Sequence, residues 1–197
     1  MSDWIYSDTV KDHFTHPRNV LTEDEAAFSA DGMGHTGNIK CGDEMRMLLK
    51  IKDDVITDAR WKTYGCASAI ASTSMLSEII KGMSIQDAYR IKPEDLVVKL
   101  GGLPDNKIHC SVLGDKALRA AIDDYLTKQG RAGELVEAAV EICHCLGITD
   151  KDIENAFKNG AHDWEKLQLA TKIGTVCGGC KVRALDFLHG LSHIYGV

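Results

Sequence analysis

Seven cysteines carry the chemistry this sequence can do. They stand at positions 41, 66, 110, 143, 145, 177 and 180. Thiolates are nucleophiles toward sulfur and soft ligands for iron, zinc and copper. In a reducing compartment, clustered thiols bind metal or do redox chemistry, and an odd count fits poorly with a pure disulfide framework. Cys143-His144-Cys145 is a C-x-C pair, and Cys177-Gly178-Gly179-Cys180 is a C-x-x-C pair 31 residues further on. Four thiolates in two close pairs suit a 2Fe–2S cluster, with one motif on each iron. Zinc and a redox dithiol are the alternatives. Zinc prefers C-x₂₋₄-C spacing, and a thioredoxin-like C-x-x-C belongs beside a βαβ pattern, which is absent here. Gly178 and Gly179 allow a tight turn with N–H groups aimed at sulfur.

The other group, Cys41, Asp43, Cys66, His109 and Cys110, sits at expected element ends. Asp43 precedes a strand over 44–52, where Met45, Met47, Leu49 and Ile51 alternate with charged residues. A second alternating run, 55–64, makes a hairpin with the first across the Asp53-Asp54 turn. Cys66 opens a helix over 67–81, ended by Gly82 and carrying one apolar stripe. His109 and Cys110 precede a helix over 111–128. A helix N-terminus favours thiolate, so Cys66 and Cys110 are expected in that form. Metal binding by these five competes with two plainer readings, a buried apolar thiol and a structural zinc site.

The remaining elements follow from periodicity and turn residues. A helix is expected over 3–14, stopped by His16-Pro17-Arg18-Asn19. Residues 28–43, rich in Gly, Ser and Asp, read as loop or a short strand with loop. Short helices are expected over 83–92 and 93–100. Beyond a Gly-containing boundary at 129–133, a connecting helix is expected over 134–142. Helices near 150–159, 163–172 and 180–190 complete a second unit, too small to rest on its apolar core without a metal staple. Domains are therefore expected at 1–128 and 141–197, with a linker at 129–140. Asp53-Asp54 reads as a turn and Asp123-Asp124 as a solvated face. His35, on the expected loop, could approach the first site, and His144 could tune the second.

Composition excludes other partners. The 197 residues hold 23 basic and 29 acidic groups, a net charge of −6 spread over both halves. Nucleic acid and anionic membranes both call for a basic surface. No apolar run approaches the ~20 residues that span a bilayer, and the start lacks a secretory pattern. A cytoplasmic protein is expected.

Four segments carry a family resemblance: 12–20 (Asp-His-Phe-Thr-His-Pro-Arg-Asn-Val), Cys41-Gly42-Asp43, 62–72 (Lys-Thr-Tyr-Gly-Cys-Ala-Ser-Ala-Ile-Ala-Ser) and 107–111 (Lys-Ile-His-Cys-Ser). In this order they resemble the iron–sulfur cluster scaffold family, IscU and the N-terminal domain of NifU, over about residues 4–128. The resemblance implies an α+β fold, a small three-stranded antiparallel sheet packed on helices. It implies a scaffold rather than an enzyme, one that takes sulfur from a cysteine desulfurase, builds a transient cluster and passes it to apo-proteins. Cys41, Cys66 and Cys110 would be cluster ligands and sulfur acceptors, with Asp43 and His109 auxiliary or tuning ligands, and zinc able to occupy the empty site. A carboxylate is a harder partner than thiolate for iron, so Asp43 would keep the cluster labile. Chaperone-dependent members carry Leu-Pro-Pro-Val-Lys before the His-Cys. Here Leu103-Pro104-Asp105-Asn106-Lys107 stands there, which favours the NifU branch. The short Cys66-to-Cys110 spacing argues against a zinc-dependent sulfur-transfer branch.

Residues 143–180, with Leu146-Gly147-Ile148-Thr149-Asp150 after the first pair, resemble the bacterioferritin-associated ferredoxin type of domain. That implies a permanent 2Fe–2S cluster on Cys143, Cys145, Cys177 and Cys180 in a small, mainly helical domain. Scaffold followed by this module is the NifU order, without the third domain NifU often has; the short form is either natural or a truncation. A homodimer and a separate electron donor are also expected. A ferredoxin-like electron carrier and a zinc-stabilised binding protein are the rival readings.

Overall fold

The computed structural model describes residues 6–38, 43–103, 108–136 and 139–195, with backbone alone at 38, 43, 108–112 and 193. The chain divides into two compact units, Met1–Val136 and Glu137–Val197. The architecture is α+β.

In the first unit, alternation draws β2 (Asp43–Lys52) through the middle of an antiparallel sheet, between β1 (Gly32–Asn38) and β3 (Val55–Thr63). The β2–β3 turn is Asp53-Asp54, both at positive φ (51° and 60°), a mirror-image turn that short polar residues tolerate. Arg131 grips the Asp54 carboxylate with both terminal nitrogens at 2.8 Å, so the chain just past the long C-terminal helix is tied to this turn. That bond also holds the Asp54 carboxyl below the ordinary range.

β1 is a full strand where the sequence reads mostly as loop. Its glycines are there for contact. A Cβ on Gly34 would lie 2.0 Å from the carbonyl oxygen of Ala117, and one on Gly32 would lie 2.2 Å from that of Ala121. Both carbonyls belong to α6 (Ile108–Lys128), which therefore lies directly on the strand backbone. On the other sheet face Leu48 packs with Leu21 and Phe28, the latter from α2 (Glu25–Phe28).

α3 (Ala67–Ile79) also departs from expectation. Instead of one apolar stripe, it buries Ser68, Ala69, Ala71, Ser72, Thr73, Ser74, Leu76 and Ser77. Small side chains let α1 (Asp8–Thr15), β3, α5 (Pro93–Lys99) and α6 pack on it from several sides. α1 starts later than residue 3, capped by Ser7, whose hydroxyl accepts the Val10 N–H. α4 (Ile85–Tyr89) and α5 are shorter than their periodicity suggests. Asp123 and Asp124 are not simply solvated: Asp123 accepts the Tyr89 hydroxyl and Asp124 accepts the Met33 N–H.

The second unit is a two-stranded ribbon, β4 (Glu141–Cys143) and β5 (Ile148–Thr149), with α7 (Asp150–Lys158), α8 (Trp164–Thr171) and α9 (Lys181–Tyr195). The described part of 134–142 is a turn and β4 rather than a helix. Asp150 fixes it extended: its N–H donates to the Val140 carbonyl and its carboxylate accepts the Val140 N–H, both at 2.8 Å. Ile142, Ile148, Ile153, Phe157, Leu167, Ile173, Leu188 and Leu191 form the core together with Cys143 and Cys180. Two of the unit's four thiols are thus core residues. No helix among the described residues is long and apolar enough to cross a membrane.

Candidate functional site

The four thiols of the second unit come together, in an order the motifs do not suggest. Cys143, at the end of β4, and Cys180, just before α9, sit in one apolar core cluster. Cys145 and Cys177 lie with their sulfurs 3.3 Å apart. That contact joins one motif to the other. The reason is the core. Cys143 and Cys180 are 1% and 7% exposed and pack among the apolar residues, which leaves Cys145 and Cys177 at the surface. Among the described residues no group of three or more His, Cys, Asp or Glu side chains is gathered as for a single ion.

Backbone donors are aimed at these sulfurs. Backbone N–H groups, first that of Gly174, pull the Cys143 pKa down against its burial. The Gly179 N–H donates to Cys177 Sγ at 3.4 Å and lowers that thiol too. Cys180 is pushed up, first by burial and then by its contact with Cys143. Cys145 is pushed up by Cys177. At Cys180 desolvation outweighs the help that a helix start gives a thiolate. Gly174 is the functional residue the sequence reading missed. Its φ is +73°, and a Cβ there would meet the Trp164 ring at 2.9 Å. Only glycine fits there.

The first site is assembled from separate elements. Asp43 opens β2, Cys66 is the N-cap residue of α3, and His109 and Cys110 lie inside the first turn of α6 rather than before it. The side chains of Asp43, His109 and Cys110, all of Cys41, and residues 104–107 lie outside the described residues. Backbone register still places the segments. Gly32 abuts Ala121 and Gly34 abuts Ala117, so β1 runs toward the start of α6. At ~3.3 Å per strand residue and ~1.5 Å per helix residue, the four residues from Gly34 to Asn38 reach the first turns of α6. Asn38 pairs with Asp43, which puts the start of β2 at that same end. Thr63 then joins the start of β2 to Cys66. Its hydroxyl donates to the Glu44 carbonyl at 2.6 Å and accepts the Gly65 N–H at 3.0 Å. The Tyr64 N–H also donates to the Glu44 carbonyl.

Other singled-out residues have structural partners. His35 lies in β1 and is held by Glu44 at 3.1 Å. His144 is exposed beside Glu141. Trp61 is buried, its indole N–H on the Arg18 carbonyl. The His-Pro-Arg-Asn stretch is a clamp on α3: the Arg18 N–H donates to Ser74 Oγ and the Asn19 side-chain amide to Ser77 Oγ. His13 is buried, with Nδ1 on Ser74 Oγ at 2.8 Å, and burial lowers its pKa.

Sheet, helices and two groups of thiols define an α+β thiol-bearing module followed by a small four-cysteine unit. Residues 5–132 match the NifU-like N terminal domain, and the chain belongs to that family. Residues 141–189 match the BFD-like [2Fe-2S] binding domain. The chain is 35% identical to nitrogen fixation protein NifU of Nostoc sp. (strain PCC 7120) over 190 residues, 94% of this chain and 63% of that protein. It is 49% identical to the iron-sulfur cluster assembly scaffold protein IscU of Aquifex aeolicus over 153 residues, 76% of this chain and 92% of that one. A NifU-like N-terminal crystal structure from Brucella abortus aligns over 62% of this chain and 94% of its own, at 17% identity and a TM-score of 0.49.

Proposed function

We propose that this protein is a scaffold for iron–sulfur cluster assembly. It receives sulfur from a cysteine desulfurase and iron as substrate on its first unit, then hands the cluster to apo-proteins in the cytoplasm. The observation that carries this reading is the convergence, at one sheet end, of the chain segments bearing Asp43, Cys66, His109 and Cys110. Cys41 lies two residues before Asp43. Cys41, Cys66 and Cys110 act as sulfur acceptors and cluster ligands. Asp43 and His109 complete a site that holds its cargo loosely enough to release it, because a carboxylate is a poor partner for iron.

The second unit holds a resident 2Fe–2S centre on Cys143, Cys145, Cys177 and Cys180. Its donor set fits: two thiol pairs, with backbone N–H groups directed at two of the sulfurs. Such a group supplies single-electron exchange. The residues of this chain fix its four ligands, shelter one pair in the core and expose the other.

The test is a count of iron, acid-labile sulfide and zinc per chain, made anaerobically before and after incubation with a cysteine desulfurase, cysteine and ferrous iron. A basal ~2 iron per chain that rises, with the added iron passing to an apo-acceptor, is the expected result. A basal value that never rises means an electron carrier. Zinc alone, unchanged throughout, overturns both assignments.

A further inference from the structure

The two thiol pairs of the second unit differ in what can reach them. Cys143 and Cys180 are enclosed by the apolar core, where a dissolved oxidant has no access. Cys145 and Cys177 are both exposed, their sulfurs 3.3 Å apart although 32 residues separate them. Cys177 is nearer in sequence to Cys180, in the C-x-x-C arrangement that usually forms a redox dithiol. Here, however, Cys180 is turned into the core against Cys143.

We propose that Cys145 and Cys177 are a redox modification site: in the metal-free protein, a low-molecular-weight disulfide such as glutathione disulfide oxidises this pair to an intramolecular disulfide that bridges the two motifs. One exposed thiol attacks the reagent, forms a mixed disulfide and releases one equivalent of small thiol. The neighbouring thiol then attacks the mixed disulfide and releases the second. Two S–H bonds and the reagent's S–S bond are lost. One protein S–S bond forms, and both protons leave on the two released thiols. The protein is oxidised by two electrons and the reagent reduced by two. The second step is fast because the partner sulfur is already in contact. The bond itself does not depend on the cluster reading. Its consequence does: two of the four donors are removed together, so the second unit takes no iron until a reductant returns them.

The experiment uses the full chain, stripped of metal by a chelator under reducing conditions, then desalted and exposed to glutathione disulfide. Peptide mapping after alkylation reads which cysteines are linked. Expected is a mass ~2 Da lower, with Cys145 joined to Cys177 and Cys143 and Cys180 alkylated only after unfolding. Cys145→Ser should instead leave Cys177 carrying one glutathione. A Cys177–Cys180 or Cys143–Cys145 link overturns the proposal. So do a link to Cys41, Cys66 or Cys110, a bond between chains, and two stable mixed disulfides. Iron uptake by the second unit is measured separately on the same samples. It should be lost in the oxidised form and regained with dithiothreitol. A correct disulfide without loss of uptake refutes the cluster assignment of these cysteines and leaves the modification standing.

Discussion

The two sulfur sites are built in opposite ways. In the second unit two of the four thiols are part of the hydrophobic core: Cys143 and Cys180 pack with Ile142, Phe157 and Leu188, so folding the unit already fixes them. In the first unit Asp43, Cys66 and the pair His109-Cys110 stand at the ends of β2, α3 and α6. Those ends meet only because β1, α3 and α6 are packed closely through small residues. A site whose ligands serve also as core is suited to keeping what it binds. One whose residues hang on element ends can rearrange them without disturbing the core, as the proposed donor role requires.

The sharpest way to break this contrast is at Gly34. Gly34→Ala places a methyl against the Ala117 carbonyl, and β1 must separate from α6. A loss above ~3 kcal/mol in the first unit is expected, with the second unit unchanged. Hydrogen exchange of β2 and β4 amides reads the two units separately, and equal protection of β2 in variant and parent refutes the close approach. Next comes a pair of substitutions in the second unit. Cys143→Ser and Cys177→Ser should both abolish the resident cluster, but only the first should weaken the metal-free fold, by ~1–3 kcal/mol, since it buries a hydroxyl in a site shaped for sulfur. Equal urea midpoints for the two would mean the core role of Cys143 is misassigned.

Thr63→Val keeps volume and deletes both hydroxyl hydrogen bonds. It should cost ~1 kcal/mol and shorten the life of the newly built cluster, while Thr63→Ser restores it. Visible circular dichroism after reconstitution follows this, and an unchanged decay in the valine variant refutes the positioning role. The smallest effect concerns acid. His13 is buried with its pKa lowered, first by desolvation, so the unfolded chain binds the extra proton more readily. Its contribution is present above the ordinary histidine pKa of about 6.5 and is lost as pH falls from there toward the lower folded value. His13→Gln should flatten the fall in urea midpoint between pH 7 and 5. Identical slopes would assign that fall to other groups.

Much of this was legible in the residues. The β2–β3 hairpin follows from strict alternation, and α6 and α7 from helical periodicity. Cysteine types and spacings mark both sulfur sites. β1 was hidden because glycine reads as loop unless the helix carbonyl lying over it is known. α3 was misread because Ser and Ala look polar or neutral along the chain, yet are what a helix enclosed by its neighbours requires. The 134–142 segment looks helical by composition, but two hydrogen bonds from Asp150 hold its end extended.

By itself, then, the sequence determined which atoms can do chemistry and which elements carry them, because residue type and local periodicity are properties of neighbours in the chain. Tertiary structure alone decided that Cys143 and Cys180 share the core while Cys145 meets Cys177 at the surface, and that Thr63 ties Glu44 to Gly65. The thiol arrangement spans the length of the second unit and is set by which side chains the core takes in and which it leaves at the surface.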